Sequence, residues 1–393
     1  MKNFCIYIFL QLSIISTCFA QSGMLSKSDF VKLDFKSLQD KKEKLKNNYP
    51  TLQTAYLKLL NDASKLLTVK PFSVMQKTAL PPSGNLHDYM SIGPYWWPDS
   101  SKPNGIPYIR KDGEINPEVR NYPDKNNMPK LCNNVYILAL AYYYSNDEKF
   151  AAQASNLIKV WFLDTATRMN PNLNFGQAVK GVTNGRAEGI IDTRNFIYLL
   201  DGVQLLQHSN YWTKENQTSL QKWFSDFLAW LQTSEIGKEE CNAKNNHGVW
   251  YDAQTLSYAL FIGDKTLANK IVLSAANRLK TQIDSAGFFP LEMERTTSLH
   301  YSVFILNAFI TIAQLAEQAN IPFASLKTNS GKYLNQSFEA ILPFITKQKT
   351  WPKHDVAAFD YDDAVPLLLY GRNKYNCTIC HPQMNNEDIV NLL

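Results

Sequence analysis

The sequence predicts an all-α fold on three observations: apolar residues recur at helical spacing, helix-length apolar segments fill most of the chain, and strand-like alternation is scarce, with no βαβ rhythm. The segment after Trp212 is the clearest case. Thr213 can cap a helix there, and Leu220, Trp223, Phe224, Phe227, Leu228 and Leu231 fall on one face. Further apolar segments of helix length run over 131–144, 151–162, 193–206, 252–262, 265–283, 298–319, 332–345 and 357–370. Helices of about 12–20 residues joined by polar loops form antiparallel pairs, which can close around a central groove. No fixed-period repeat of the solenoid kind is present.

Two stretches interrupt this pattern. Residues 71–130 are rich in proline and contain the aromatic run Tyr95-Trp96-Trp97. Residues 170–191 contain Gly176, Gly181, Gly185 and Gly189 together with Arg186 and Glu188. Long irregular segments inside a compact chain are commonly functional. Both are expected to carry substrate-contacting loops.

The 393 residues suffice for one large domain or two ordinary ones, at about 100–200 residues each. A hydrophobic content of 45% supports a sizeable core, while 12% aromatic residues suit both core packing and stacking on sugar rings. The formal charge of +5 comes without a dense basic stripe, which argues against a nucleic-acid partner. The one basic cluster, Lys41 to Lys46, is broken by Glu43 and reads as a solvated helix face. A modest positive excess favours a polyanionic substrate.

Residues 1–20 read as a signal peptide: Lys2, an apolar run from Phe4 to Ile15, and small residues at Cys18 and Ala20. Cleavage after Ala20 leaves residues 21–393 as a single catalytic domain, periplasmic or secreted. A lipid anchor on Cys18 is the weaker alternative, because Thr17 is a poor residue before a lipidated cysteine. No later segment is expected to be long and apolar enough to cross a bilayer. Cys132, Cys241, Cys377 and Cys380 remain and allow up to two disulfides in an oxidising compartment. Cys377-Thr378-Ile379-Cys380-His381 lacks a second ligand pair at metal-binding spacing, so a local disulfide or free thiols are expected there, and no metal.

Two motifs carry chemistry. Asn245-Asn246-His247-Gly248 immediately precedes the apolar run from 252, and amides with an imidazole at a helix amino end suit a carboxylate. The same residues can serve as cap and packing. Arg295 precedes a helix whose first turns carry His300 and Tyr301; it can grip a carboxylate with two prongs and lower the pKa of a nearby tyrosine below about 10. It can equally pair with Glu292 or Glu294.

Together with Asp88-Tyr89-Met90-Ser91-Ile92-Gly93-Pro94-Tyr95-Trp96-Trp97-Pro98-Asp99, these motifs resemble the alginate lyase superfamily over residues 50–370. That superfamily includes polysaccharide lyase families five and thirty-eight. The tryptophan pair and the six-residue step from Arg295 to Tyr301 are nearer family thirty-eight; in family five the step is seven. The resemblance implies an (α/α) toroid, elimination without metal or other cofactor, and a site of Asn246, His247, Arg295 and Tyr301. The substrate it implies is a 1,4-linked uronate polymer, an alginate (polymannuronate) or a glucuronan.

Breaking such a chain by β-elimination requires neutralising the C5 carboxylate, removing the C5 proton and protonating the departing O4. Neutralisation is assigned to Asn246, assisted by Arg295 and His247. In mannuronate and glucuronate the proton and O4 share a face, so Tyr301, ionised by Arg295 and His247, can serve as both base and acid. In guluronate they lie on opposite faces, and His247 becomes the base with Tyr301 the acid. Further substrate contacts are expected from Asn245, Tyr95, Trp96, Trp97, Asn174, Gln177, Arg186, Arg194, His300 and His354. Two other readings compete. A helical-toroid glycoside hydrolase would need a carboxylate pair, for which Glu292, Glu294, Asp355, Asp360 and Asp362 are available. A non-catalytic glycan-binding protein would use the aromatic loop alone.

Overall fold

A computed structural model describes residues 30–320, 323 and 334–380; the leader and His381 lie outside them. The described chain is built from helices α1 (Phe35–Lys46), α2 (Pro50–Leu66), α3 (Pro123–Ser145), α4 (Glu148–Ile158), α5 (Phe196–Leu205), α6 (Lys214–Thr233) and α7 (Glu235–Asn242), then α8 (Asn246–Ile262), α9 (Lys265–Gln282), α10 (Pro290–Met293), α11 (Ser298–Gln318), α12 (Leu334–Ile345) and α13 (Val365–Tyr375). Four short strands accompany them. β1 (Met90–Ile92) pairs in parallel with β4 (Phe175–Ala178), and β2 (Trp96–Trp97) pairs antiparallel with β3 (Ile109–Arg110).

The principal helix contacts are α3 against α4 and α5, α6 against α8, and α8 against α9 and α11. The stripe on α6 is buried at every one of its six positions, and Thr213 accepts from the Asn216 N–H as its cap. Its rings join Phe162, Phe196 and Tyr258 in one aromatic cluster. Helix α8 is buried nearly all round, as expected of a helix enclosed by others. α11 alone among the described helices has the length and apolar character of a membrane span, and it is a core helix. Ser298–Glu317 is long and apolar enough, with mean hydropathy 1.5, but 78% of it is buried inside the fold.

Several boundaries differ from the periodicity for local reasons. α3 begins at Pro123, a first-turn proline with φ already helical. α8 begins at Asn246, six residues before its apolar run, because Asn245 caps it. The last helix starts at Val365 rather than 357, after a 3₁₀ turn (Tyr361–Ala364) that Asp360 caps. Cys377 and Cys380 form a disulfide, while Cys132 and Cys241 are free. The irregular stretch 170–191 is tightly packed: a Cβ on Gly189 would lie 2.5 Å from the Gly176 carbonyl carbon. Only glycine allows that approach.

Candidate active site

The first turn of α8 holds two of the expected residues. Asn245 accepts from the His247 N–H at 3.2 Å, and Gly248 is required because a Cβ would meet Ala243 O at 2.2 Å. Asn246 is fully buried and donates its backbone N–H to Glu292 Oε1 at 2.7 Å. Its side-chain amide donates to the same carboxylate at 2.9 and 3.1 Å, and its Oδ1 has no partner. The helix end expected to receive a substrate carboxylate is therefore already occupied by one, that of Glu292. The N-terminal dipole stabilises it there. His247, like Asn245, is partly accessible, with 18% of its side chain exposed. Its Nδ1 lies 2.8 Å from Oε1 of buried Glu240, on α7. Burial works against a charged ring, but Glu240 and Glu188 outweigh it and raise the His247 pKa.

Tyr301 lies in the first turn of α11. Its hydroxyl is 2.8 Å from that of Tyr95, and the Arg295 guanidinium carbon sits 3.6 Å from its ring centroid. Arg295 pairs with neither Glu292 nor Glu294. Its Nε and Nη2 donate to Asp112 at 3.0 and 2.7 Å, so the fork expected to grip substrate is taken. The expected ionisation of Tyr301 is not met either. Burial, reinforced by Tyr95, pushes its pKa up, and Arg295 offsets this only in part. Burial therefore favours the neutral phenol in the free protein.

The two groups stand on helices that pack together, α8 and α11. Glu292, bonded to Asn246, feels the charges of both Arg295 and His247. Trp250 of α8 and Phe304 of α11, each three residues beyond its site residue, are in ring contact at 5.2 Å. The amino ends of the two packed helices thus lie on the same side.

The remaining candidates divide. Trp96 is half-buried under the Arg186 guanidinium, 5.8 Å from its ring. Trp97 donates to Glu114 O and carries Lys111 over its ring. Arg186 is held by Gln177 O, Gln177 Oε1 and Glu188. Arg194 lies 5.5 Å from the Phe304 ring, with Ile191 O as its hydrogen-bond partner at 3.4 Å. His300 stacks on Phe304 and lies 2.9 Å from Asp363 Oδ2. Gln177 is a correction: it is buried at φ +47°, with its amide committed to Arg186 and Asp192. Asn174 is exposed and accepts from Trp230 Nε1 at 3.1 Å. His354 is exposed, and its neighbour Asp355 caps α11 by accepting from Ser298 and Leu299.

Sequence reasoning missed Asp112, Glu240 and the hydroxyl contact of Tyr95. Among the described residues, no group of three or more His, Cys, Asp or Glu side chains is arranged to hold a metal ion.

An all-α fold with an amide and an imidazole at the start of one helix, and an arginine and a tyrosine at the start of another packed against it, suits a polysaccharide lyase. Residues 73–351, more than half of the chain, match the family described as Alginate lyase. An alginate lyase from Bacteroides ovatus, seen in a crystal structure, is 36% identical with a TM-score of 0.88, over 92% of this chain and 98% of that one. The chain belongs to the alginate lyase family. Alginate lyase A1-III from Sphingomonas species A1 is 15% identical with a TM-score of 0.52, over 84% of this chain and 91% of that one. A variant of A1-III complexed with a tetrasaccharide is 14% identical with a TM-score of 0.55, over 94% of each chain. At these identities the likeness is one of fold, a helical toroid. No curated protein matches the sequence. The enzyme is a lyase, and the hydrolase and non-catalytic readings fall. Two of the carboxylates a hydrolase could use are committed elsewhere, Glu292 to Asn246 and Asp355 to the start of α11.

Proposed function

We propose that the protein cleaves a 1,4-linked uronate polymer, polymannuronate or glucuronan, by β-elimination, with Tyr301 acting in turn as base and acid. The observation that carries this reading is the Tyr301 hydroxyl set against Tyr95 with Arg295 on its ring face. His247, paired with Glu240 and partly exposed, is the group best suited to neutralise the C5 carboxylate. Asn246 acts behind it, through Glu292. On binding, the Tyr301 phenol loses its proton to solvent water against the cost of burial, leaving a phenolate with Arg295 as its counter-charge. It takes the C5 proton, and the resulting hydroxyl protonates O4 on the same face. No step requires a metal. Trp96, Arg194 and His300 are the proposed flanking sugar contacts.

The buried glutamate behind His247 also favours a second reading, in which His247 removes the C5 proton of guluronate and Tyr301 protonates O4. We further propose that residues 21–393 are one catalytic unit exported by the leader. The Cys377–Cys380 disulfide supports an oxidising compartment.

The test is growth of ultraviolet absorbance from the new double bond on polymannuronate, polyguluronate and glucuronan. Tyr301→Phe should lower turnover by at least about 100-fold on the polymer cleaved, with the fold retained. Near-normal turnover removes Tyr301 from this role, and cleavage of polyguluronate alone selects the second reading.

A further inference from the structure

We propose that Asp112 is the positioning residue that holds the Arg295 guanidinium over the Tyr301 ring. The inference rests on the catalytic reading of Tyr301 and adds the element that sets it. Asp112 accepts from Arg295 through both oxygens, at 2.7 and 3.0 Å, and from Thr296 Oγ1 at 3.1 Å. The paired side chains are only 15% and 21% exposed. A two-pronged, largely desolvated pair fixes the plane of a guanidinium in a way that exposed pairs do not. With Nε and Nη2 turned to Asp112, the guanidinium is held over the phenol ring.

The loop has little freedom to place Asp112 elsewhere. Lys111 donates its N–H to Tyr95 O, and Asn116 donates to Pro94 O, both at 2.7 Å. Gly113 has φ +80°, and a Cβ there would come within 2.7 Å of Thr296 Oγ1. One loop therefore delivers Tyr95 to the hydroxyl of Tyr301 and Asp112 to the arginine on its face. Burial would raise the Asp112 carboxyl, but Arg295 and Arg110 overcome it and hold it at about 2, so the pair stays ionised at working pH. The titratable and charged groups facing Tyr301 and Arg295 are Tyr95, Asp112 and Arg110 from the loop, Glu292 from α10, and His300, itself paired with Asp363.

The experiment compares Asp112→Ala, Asp112→Asn, Arg295→Ala and the double variant Asp112→Ala/Arg295→Ala in the full chain. Initial rates on the uronan that the protein cleaves are read across pH, alongside thermal melting. Asp112→Ala should lower kcat by about 10- to 100-fold, as a misplaced catalytic contact does, with KM little changed. Its rising pH limb should move to higher pH, because the counter-charge leaves the phenol. Asp112→Asn, which still accepts from Arg295, should recover part of kcat. On an Arg295→Ala background the Asp112 change should cost nothing further. An unchanged kcat, an equal loss with and without Arg295, or lower melting with an unmoved pH limb each overturns the proposal. Tyr301→Phe, run alongside, separates the two readings. If it stays active, the tyrosine assignment falls and takes the positioning role with it. If it is inactive while Asp112→Ala is not, the positioning role falls alone.

Discussion

Glu292→Ala removes the carboxylate that accepts from the backbone N–H and the side-chain amide of Asn246. Asn246 has no exposed surface, so both donors lose their partner where water is scarce. Each unpaired buried donor costs about 1–3 kcal/mol, a central total of about 4 kcal/mol. Two effects reduce it. Removing a buried charge recovers its desolvation cost, which burial of Glu292 makes real by raising its pKa. A partly open cavity of about 200 Å³, lined by Glu292, Asn245 and Gln282 among others, also gives water a route to the gap. The expected loss is about 2–3 kcal/mol. Glu292→Gln behaves differently, because a half-turn of the Asn246 amide brings its unpartnered Oδ1 to the new NH₂ group. That variant should lose no more than about 1 kcal/mol. Urea unfolding at pH 7, followed by tryptophan fluorescence, measures both. An alanine loss below about 1 kcal/mol, or a glutamine loss equal to it, refutes the reasoning.

Two further outcomes are expected. Asp201, buried on α5, accepts from the N–H groups of Val31, Lys32 and Leu33; Asp201→Ala should cost at least about 3 kcal/mol of unfolding free energy, and full stability would show those amides find other partners. His247 has a raised folded-state pKa, so its pairing with Glu240 contributes stability in full below about pH 6.5 and loses it as pH rises through the folded value. The stability gap between the native protein and Glu240→Gln should narrow from pH 6 to pH 9, and an equal gap at both would count against a charged pair.

How far the sequence could be read depended on the range of each interaction. The α6 stripe and its cap Thr213 were legible because their partners lie within one or two turns. The start of α8 was hidden, since Gly248 and polar neighbours mask a helix that only packing makes regular. Arg295, His247 and Tyr301 could be singled out as residue types suited to the chemistry, yet their partners could not. Asp112 lies 183 residues from Arg295, and Tyr95 lies 206 from Tyr301. Such pairs leave no local pattern. Glu292 was legible only as a neighbour of Arg295, and its bond to Asn246 reversed the expected use of the helix end.

The clasp between Asp201 and residues 31–33 has a consequence for the ribosome-bound chain. The acceptor is encoded about 170 positions after the amides it serves, so the leading segment leaves the exit tunnel long before its anchor is made. Vectorial synthesis, which lets early segments settle first, cannot help here. The segment gains its anchor only once α5 has emerged.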